Sequence, residues 1–203
     1  MKQLVFATNN KNKLKEIRHL LEGSDWQVLS LKDIGITHEV IEDANSFEGN
    51  ALKKASEIMN LCHHVTLADD SGIMVEVLGG RPGIYSARFA LDDVKDGEQI
   101  DEANNDKMLS LMAREDSRKA KYVCALAIVH PSGETAVITE ECHGEIAFEK
   151  SGSGGFGYDC LFYLPEYGCT MASISAEEKN RISHRAKAMR KMVAFLNNEK
   201  TLL

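Results

Sequence analysis

The sequence predicts an α/β fold built on a mixed β-sheet. Three observations carry this. Short apolar runs of strand length alternate with amphipathic stretches of helical period in the first part of the chain. Two long apolar runs around a tight turn in the middle read as a hairpin. A glycine-rich loop then leads into a helical C-terminal stretch. A hairpin in a chain that opens strand–loop–helix gives antiparallel as well as parallel neighbours, so the regular alternation of a doubly wound sheet is not expected.

In order, QLVFA (residues 3–7) reads as a strand, TNNKNK as a polar loop, and KLKEIRHLLEG as a helix with Leu14, Ile17 and Leu21 on one stripe and Gly23 at its end. A second helix, SFEGNALKKASEIMNLC, takes Ser46 as N-cap and turns Phe47, Ala51, Ala55, Ile58 and Cys62 to the core. That leaves Asn50 and Lys54, one turn apart, on a neighbouring face. Val65–Ala68 is a strand, and Asp69, Asp70, Ser71 and Gly72 read by composition as a turn before Ile73–Leu78 resumes. GGRPGIYSARFA is a loop running into a helix, and residues 98–115 are helical on Ile100, Met108, Leu111 and Met112. KYVCALAIVH and ETAVITEECHGEIAF are long strands joined at PSG; KSGSGGFGYD is a glycine loop and CLFYL a strand. A capping box runs from Ser175 to Glu178, and the last helix packs on Ala186, Met189, Val193 and Leu196.

Composition narrows the function classes. At 203 residues, 43% apolar and 27% charged, the chain fits one domain, or one domain with a small lobe, that buries about 70% of its unfolded surface. No apolar run approaches ~18 residues, so no membrane span is expected. The opening MKQLVFATNN is too short in apolar residues for a signal peptide, which implies a cytoplasmic protein. Cys62, Cys124, Cys142, Cys160 and Cys169 are odd in number and form no CxxC pair, so they read as reduced thiols serving as small hydrophobes. The formal charge of −7 argues against nucleic-acid binding but leaves room for a small polyanion held by a few lysines. The segment DDVKDGEQIDEA is no calcium loop, with Val94 at its third position and Ala103 at its twelfth. His63–His64 is an ordinary helix end.

Four short patterns point to chemistry. Thr8, Asn9, Asn10, Lys11, Asn12 and Lys13 put a hydroxyl, amides and two lysines where a strand enters a helix, a setting in which backbone N–H groups and the helix dipole favour phosphate. Adjacent Asp69 and Asp70 repel unless something positive is near, which suits a metal or a proton-transfer site. Phe156 and Tyr158 interleave with glycines, as in a loop that stacks on a base. Lys179, His184 and Arg185 form a cationic cluster near a helix start. Taken singly, each has a plainer reading: a solvated loop, a turn, a flexible hairpin, a charged helix face. Together they are the parts of a metal-dependent nucleotide site.

Six motifs in order, ATNNKNKLKE, SFEGNALKKA, LADDSG, PGIYSARF, GSGGFGYD and SAEEKNRISHR, resemble the Ham1 family of inosine and xanthosine triphosphate pyrophosphatases over almost the whole length. The resemblance implies a two-lobed fold over residues 1–203, with helices around a long curved mixed sheet and the nucleotide in a central cleft. It also implies a homodimer, Mg2+ dependence, and hydrolysis of dITP, ITP or XTP to the monophosphate and pyrophosphate. Residue by residue, it makes Thr8 to Lys13 the phosphate loop and sets Asn50 and Lys54 near the phosphates. Asp70 becomes general base and metal ligand, with Glu42 as second ligand and Asp43 as the alternative. Asp69 would orient Asp70 or a metal-bound water, and Ser71 would touch substrate. In the run Phe156, Gly157, Tyr158 and Asp159, Phe156 would stack on the base, while Lys179, His184 and Arg185 would read its edge. Hypoxanthine and xanthine present an acceptor oxygen at C6, where adenine presents a donor. A buried cation facing adenine would lose ~1–3 kcal/mol or more. Cys160 departs from the family, which usually has Pro there, and restores a backbone N–H. Maf-like pyrophosphatases and a non-catalytic nucleotide sensor are the competing readings; the SHR cluster argues against the first and the intact acid pair against the second.

Overall fold

Leu4, Val5 and Phe6 are fully buried beside exposed Lys2 and Gln3, the signature of a strand that enters the interior and is covered on both faces. In the computed structural model, which describes residues 2–94 and 97–198, this is β1 (Lys2–Phe6). Lys95 and Asp96, inside the segment excluded above as a calcium loop, lie outside the described residues. The remaining strands are β2 (Trp26–Ser30), β3 (Thr66–Val75), β4 (Lys119–Val129), β5 (Thr135–Ile146), β6 (Phe162–Leu164) and β7 (Cys169–Thr170). The helices are α1 (Lys11–Leu20), α2 (Phe47–Cys62), α3 (Ile100–Met112), α4 (Ala176–Ile182) and α5 (His184–Asn198). The strands form one sheet in the order β2-β1-β3-β4-β5-β6-β7. β1 runs parallel to β2 and β3, while β6 is antiparallel to β5 and β7, so the sheet is mixed as expected.

The chain divides into two compact units. The first comprises residues 1–70, 124–140 and 185–203, and its core joins Leu4, Phe6 and Leu67 to Leu126, Met189 and Met192. The second comprises residues 71–123 and 141–184 and packs Ile73, Met108, Tyr122, Leu161 and Phe162. Among the described residues, no helix is long and apolar enough to cross a membrane. None of the five cysteines is in a disulfide, and Cys124 and Cys142 are buried.

Several expectations change. The turn at residues 69–72 does not exist: β3 runs straight through Asp69, Asp70, Ser71 and Gly72. Gly72 is glycine because a Cβ there would overlap Gly83 O and Ser86 Oγ, a matter of close approach and not of turning. The α1 helix starts at Lys11, capped by Asn10, so half of the expected phosphate loop is helical. GGRPGIYSARFA yields a 3-10 turn at Gly83–Arg88 in place of an α-helix, and a second 3-10 turn follows it at Leu91–Asp93. Leu111 is exposed, because α3 turns Ala103, Asn104 and Asn105 inward along with Met108 and Met112. β2 and β7 carry no expectation from sequence: one is only half-buried and the other two residues long.

Candidate functional site

The first unit holds a buried ionic cluster. Thr8, Asn9, Asn10, Lys11, Asn12 and Lys13 follow β1; Thr8 and Lys13 are half-buried and the others exposed. The Asn10 side chain accepts from Asn12 N at 2.9 Å and Lys13 N at 3.1 Å, so the helix start supplies its own cap. One turn into α1, Lys13 reaches Asp69 Oδ1 at 3.0 Å. Arg185, at the start of α5, binds Asp69 Oδ2 through Nε at 3.2 Å and Nη2 at 3.1 Å, while its Nη1 meets Glu16. Burial alone would raise the pKa of Asp69, but Lys13, Arg185 and Lys54 outweigh it and hold the carboxyl well below the usual range. The same pairing keeps the buried Arg185 guanidinium firmly charged.

Asp70, one residue along β3, has the opposite environment. Burial and the charge of Glu42 push its pKa up to about 6, against a hydrogen bond from Asn50 and the charges of Lys13 and Lys54. Asn50 Nδ2 donates to Asp70 Oδ2 at 2.9 Å. Glu42 pairs with Lys54, whereas Asp43 is exposed and pairs with Lys53 at 2.6 Å. Glu42 is therefore the acid whose field reaches Asp70. Among the described residues, no group of three or more His, Cys, Asp or Glu side chains could hold a metal alone. Two hard carboxylates, Asp70 and Glu42, suit Mg2+, which takes one or two protein carboxylates and completes its shell with water and substrate phosphates. The donor set fits, and a cation there would relieve the repulsion that lifts Asp70.

The second unit holds an aromatic and cationic cluster. Phe156 is half-buried, and the Lys179 ammonium lies 4.8 Å from its ring centroid. Asp159 accepts from Lys179 Nζ at 2.7 Å and from Phe156 N at 2.9 Å, locking the loop to the cation. A Cβ at Gly155, where φ is +73°, would overlap that Asp159 carboxylate. Gly157 is pinned from both sides: its N–H donates to Asp101 Oδ2 at 3.0 Å and its carbonyl accepts from Asn105 Nδ2 at 3.0 Å. Tyr158 is buried with its hydroxyl donating to Ser86 O at 2.8 Å. The His184 ring, also buried, stacks on Tyr122 with centroids 4.6 Å apart and planes 11° from parallel. Ser71 is half-buried on β3. None of these motif residues lines a cavity of ≈ 600 Å³ in the second unit, which lies among Met74, Gly79, Lys119 and His143.

Thus Lys13, Lys54, Glu42, Asn50, Asp69 and Asp70 meet as one polar cluster, and Phe156, Gly157, Asp159 and Lys179 as another. Arg185, expected at the base edge, spends its guanidinium on Asp69 and Glu16. Asp69, expected to orient Asp70 or a metal-bound water, is held by the cations of Lys13 and Arg185. Sequence reasoning missed Glu16, Asp101, Asn105 and Tyr122. The first three carried a signal: Glu16 lies one turn from Lys13 on α1, Asn105 shares the inward stripe of α3 with Met108, and exposed Asp101 lies one turn before Asn105.

Residues 4–195 match the model of the Ham1 family. A dITP/XTP pyrophosphatase of Desulforamulus reducens is 47% identical over 198 residues, covering 96% of each chain. One from Bacillus subtilis is 42% identical over 97% of this chain and 98% of its own. Among solved structures, the Ham1 protein of Staphylococcus aureus superposes with a TM-score of 0.85 at 38% identity, over 98% of this chain and 100% of its own. A HAM1 protein from Coxiella burnetii gives 0.87 at 30% identity over the same shares. With its sequence, fold and motif geometry in agreement, the chain belongs to the Ham1 family.

Proposed function

We propose that the protein is a hydrolase that converts the non-canonical purine nucleoside triphosphates dITP, ITP and XTP to monophosphate and pyrophosphate, clearing deaminated purines from the nucleotide pool. The observation that carries this is the contrast between adjacent carboxylates. Asp69 is bound by Lys13 and Arg185, while Asp70, with a pKa of about 6, is poised to hold or release a proton near neutral pH. Full-length similarity to dITP/XTP pyrophosphatases supports the substrate class.

In this mechanism Lys13 and Lys54 hold the triphosphate, and Asp69 keeps the Lys13 ammonium aimed. Asp70 accepts a proton from the attacking water as a P–O bond forms at the α-phosphorus. The α–β anhydride bond breaks and pyrophosphate leaves. Mg2+, held by Asp70 and Glu42, would acidify that water and spread the phosphoryl charge. Phe156 offers the purine a stacking face, and Lys179 offers a donor to the C6 oxygen. Asp159 sets the position of both. The resemblance further supports a homodimeric, cytoplasmic enzyme, and sedimentation velocity tests the dimer.

Pyrophosphate release from ITP, XTP, dITP, GTP, ATP and dTTP, with Mg2+ and then with EDTA, tests the whole reading. Metal-dependent release favouring ITP and XTP over ATP is expected. Release mainly from dTTP, or none at all with nucleotide still bound, would overturn it.

A further inference from the structure

Asn50 is fully buried, and both ends of its amide are engaged. Nδ2 donates to Asp70 Oδ2 at 2.9 Å, and Oδ1 accepts from Ala44 N at 2.9 Å. The reverse orientation would set donor against donor at Ala44 and oxygen against carboxylate at Asp70, so the two bonds fix the amide. Its backbone is fixed as well. Asn50 lies in the first turn of α2, which Ser46 caps by accepting from Gly49 N at 3.1 Å. Gly49 is the point where the preceding loop folds back: a Cβ there would stand 2.8 Å from Ala44 Cβ. Ala44 is two residues beyond Glu42. One neutral side chain thus ties β3, at Asp70, to the loop that carries Glu42.

From this geometry we infer that Asn50 is a positioning residue, a bracket that holds the Asp70 carboxylate and the Glu42 loop in register for a single divalent cation. The inference rests on Asp70 and Glu42 being the metal-facing pair. It departs from a role for Asn50 at the phosphates, because a side chain so enclosed, with both ends engaged inside the protein, has no face to offer substrate. The choice of an amide follows from charge. A Lys or Arg in its place could tether Asp70 but would cancel the charge a cation needs, and an acid would repel it. A neutral donor orients the carboxylate and leaves its charge in place.

The test uses the full-length protein with Asn50→Leu, which removes both hydrogen bonds at similar volume, and Gly49→Ala, which leaves the amide intact but displaces Ala44. Three quantities are measured: Mn2+ binding to the nucleotide-free protein by electron paramagnetic resonance, ITP turnover over graded Mg2+, and Tm. In both variants Mn2+ affinity is expected to fall and the half-saturating Mg2+ concentration to rise by roughly 10–100-fold, the usual range for a residue behind metal ligands. KM for ITP at saturating metal should change by less than about twofold, since uniform substrate binding is untouched. A raised KM with unchanged metal affinity would make Asn50 a substrate contact and overturn the inference. Should Asn50→Leu fail to fold, Gly49→Ala decides alone: a shifted metal dependence supports the bracket, an unshifted one overturns it. Unchanged Mn2+ binding in Asp70→Asn and Glu42→Gln would remove the metal-pair assignment itself, a failure separable from that of the bracket.

Discussion

Asp69 and Asp70 share a strand, a side-chain type and burial below 6% exposure, yet their protons obey opposite rules. Neighbouring cations decide the first, burial and Glu42 the second. Because Asp69 titrates lower in the fold than its unfolded value of ~3.9, its contribution to stability is present above that pH and is lost on further acidification. Asp69→Asn takes a carboxylate from the buried Arg185 guanidinium and is expected to lower stability at pH 7 by about 3–5 kcal/mol, checked by urea unfolding. Asp70 runs the other way. Its folded pKa of about 6 favours the protonated fold, so its contribution is full below the unfolded value and is lost as pH rises through 6. In EDTA, Asp70→Asn should therefore exceed the wild type in stability at pH 8 by on the order of 1–3 kcal/mol, with the gain vanishing near pH 4. With Mg2+, the same variant should lose ~100-fold or more in kcat, read by pyrophosphate release. The residue types of this cluster were legible in the motifs. The partner of Asp69 was not, because Arg185 lies 116 positions away and helix periodicity says nothing about which carboxylate its guanidinium will find.

At the scale of elements, the glycine loop behaves as a rigid part and not as a hinge. Asp101 and Asn105 of α3 grip Gly157, and Asp159 grips both Phe156 and Lys179. Gly155→Ala combines a left-handed φ with a clash on the Asp159 carboxylate. It is expected to raise KM for ITP about tenfold or more while leaving the kcat at saturation within a few-fold, a split read from steady-state kinetics. Helix α2, its Ser46 cap and the capping box at Ser175 were legible because their signals are local: a side-chain oxygen three residues from the N–H it binds. The strand through Asp69 and Asp70 was not. Turn propensity assumes that buried carboxylates are unfavourable, and here Lys13, Arg185 and Asn50 supply partners from outside the segment. The 3-10 turn at Gly83–Arg88 escaped for a related reason, since Ser86 Oγ accepts from Ile73 N and donates to Gly83 O.

At the scale of the whole molecule, the two units each carry an apolar core of their own, with β3, β4 and β5 contributing residues to both. Leu126 and Phe162 are completely buried, one in each core. Leu126→Ala is expected to lower the unfolding free energy by about 2–5 kcal/mol and Phe162→Ala by about 3–5 kcal/mol, both measured by chemical denaturation. A mixed α/β fold was legible from the order of apolar periods, whereas strand order was not, since pairing of β1 with β3 skips β2 and leaves no mark on local pattern. The acid pair, the lysines and the aromatic loop were legible as motifs, and their grouping came only from tertiary structure.

The ammonium of Lys179 over Phe156 has a further consequence. If Phe156 stacks on the purine as proposed, the base shares that ring with the ammonium, and its affinity includes the work of shifting the cation. Under the proposed function, a base with an acceptor at C6 receives the ammonium as it shifts, whereas adenine meets it with a donor and leaves it to Asp159. Selectivity then resides in the fate of the displaced charge. With Lys179→Met the ratio of ITP to ATP turnover should collapse toward unity, chiefly because ATP gains where it was formerly excluded.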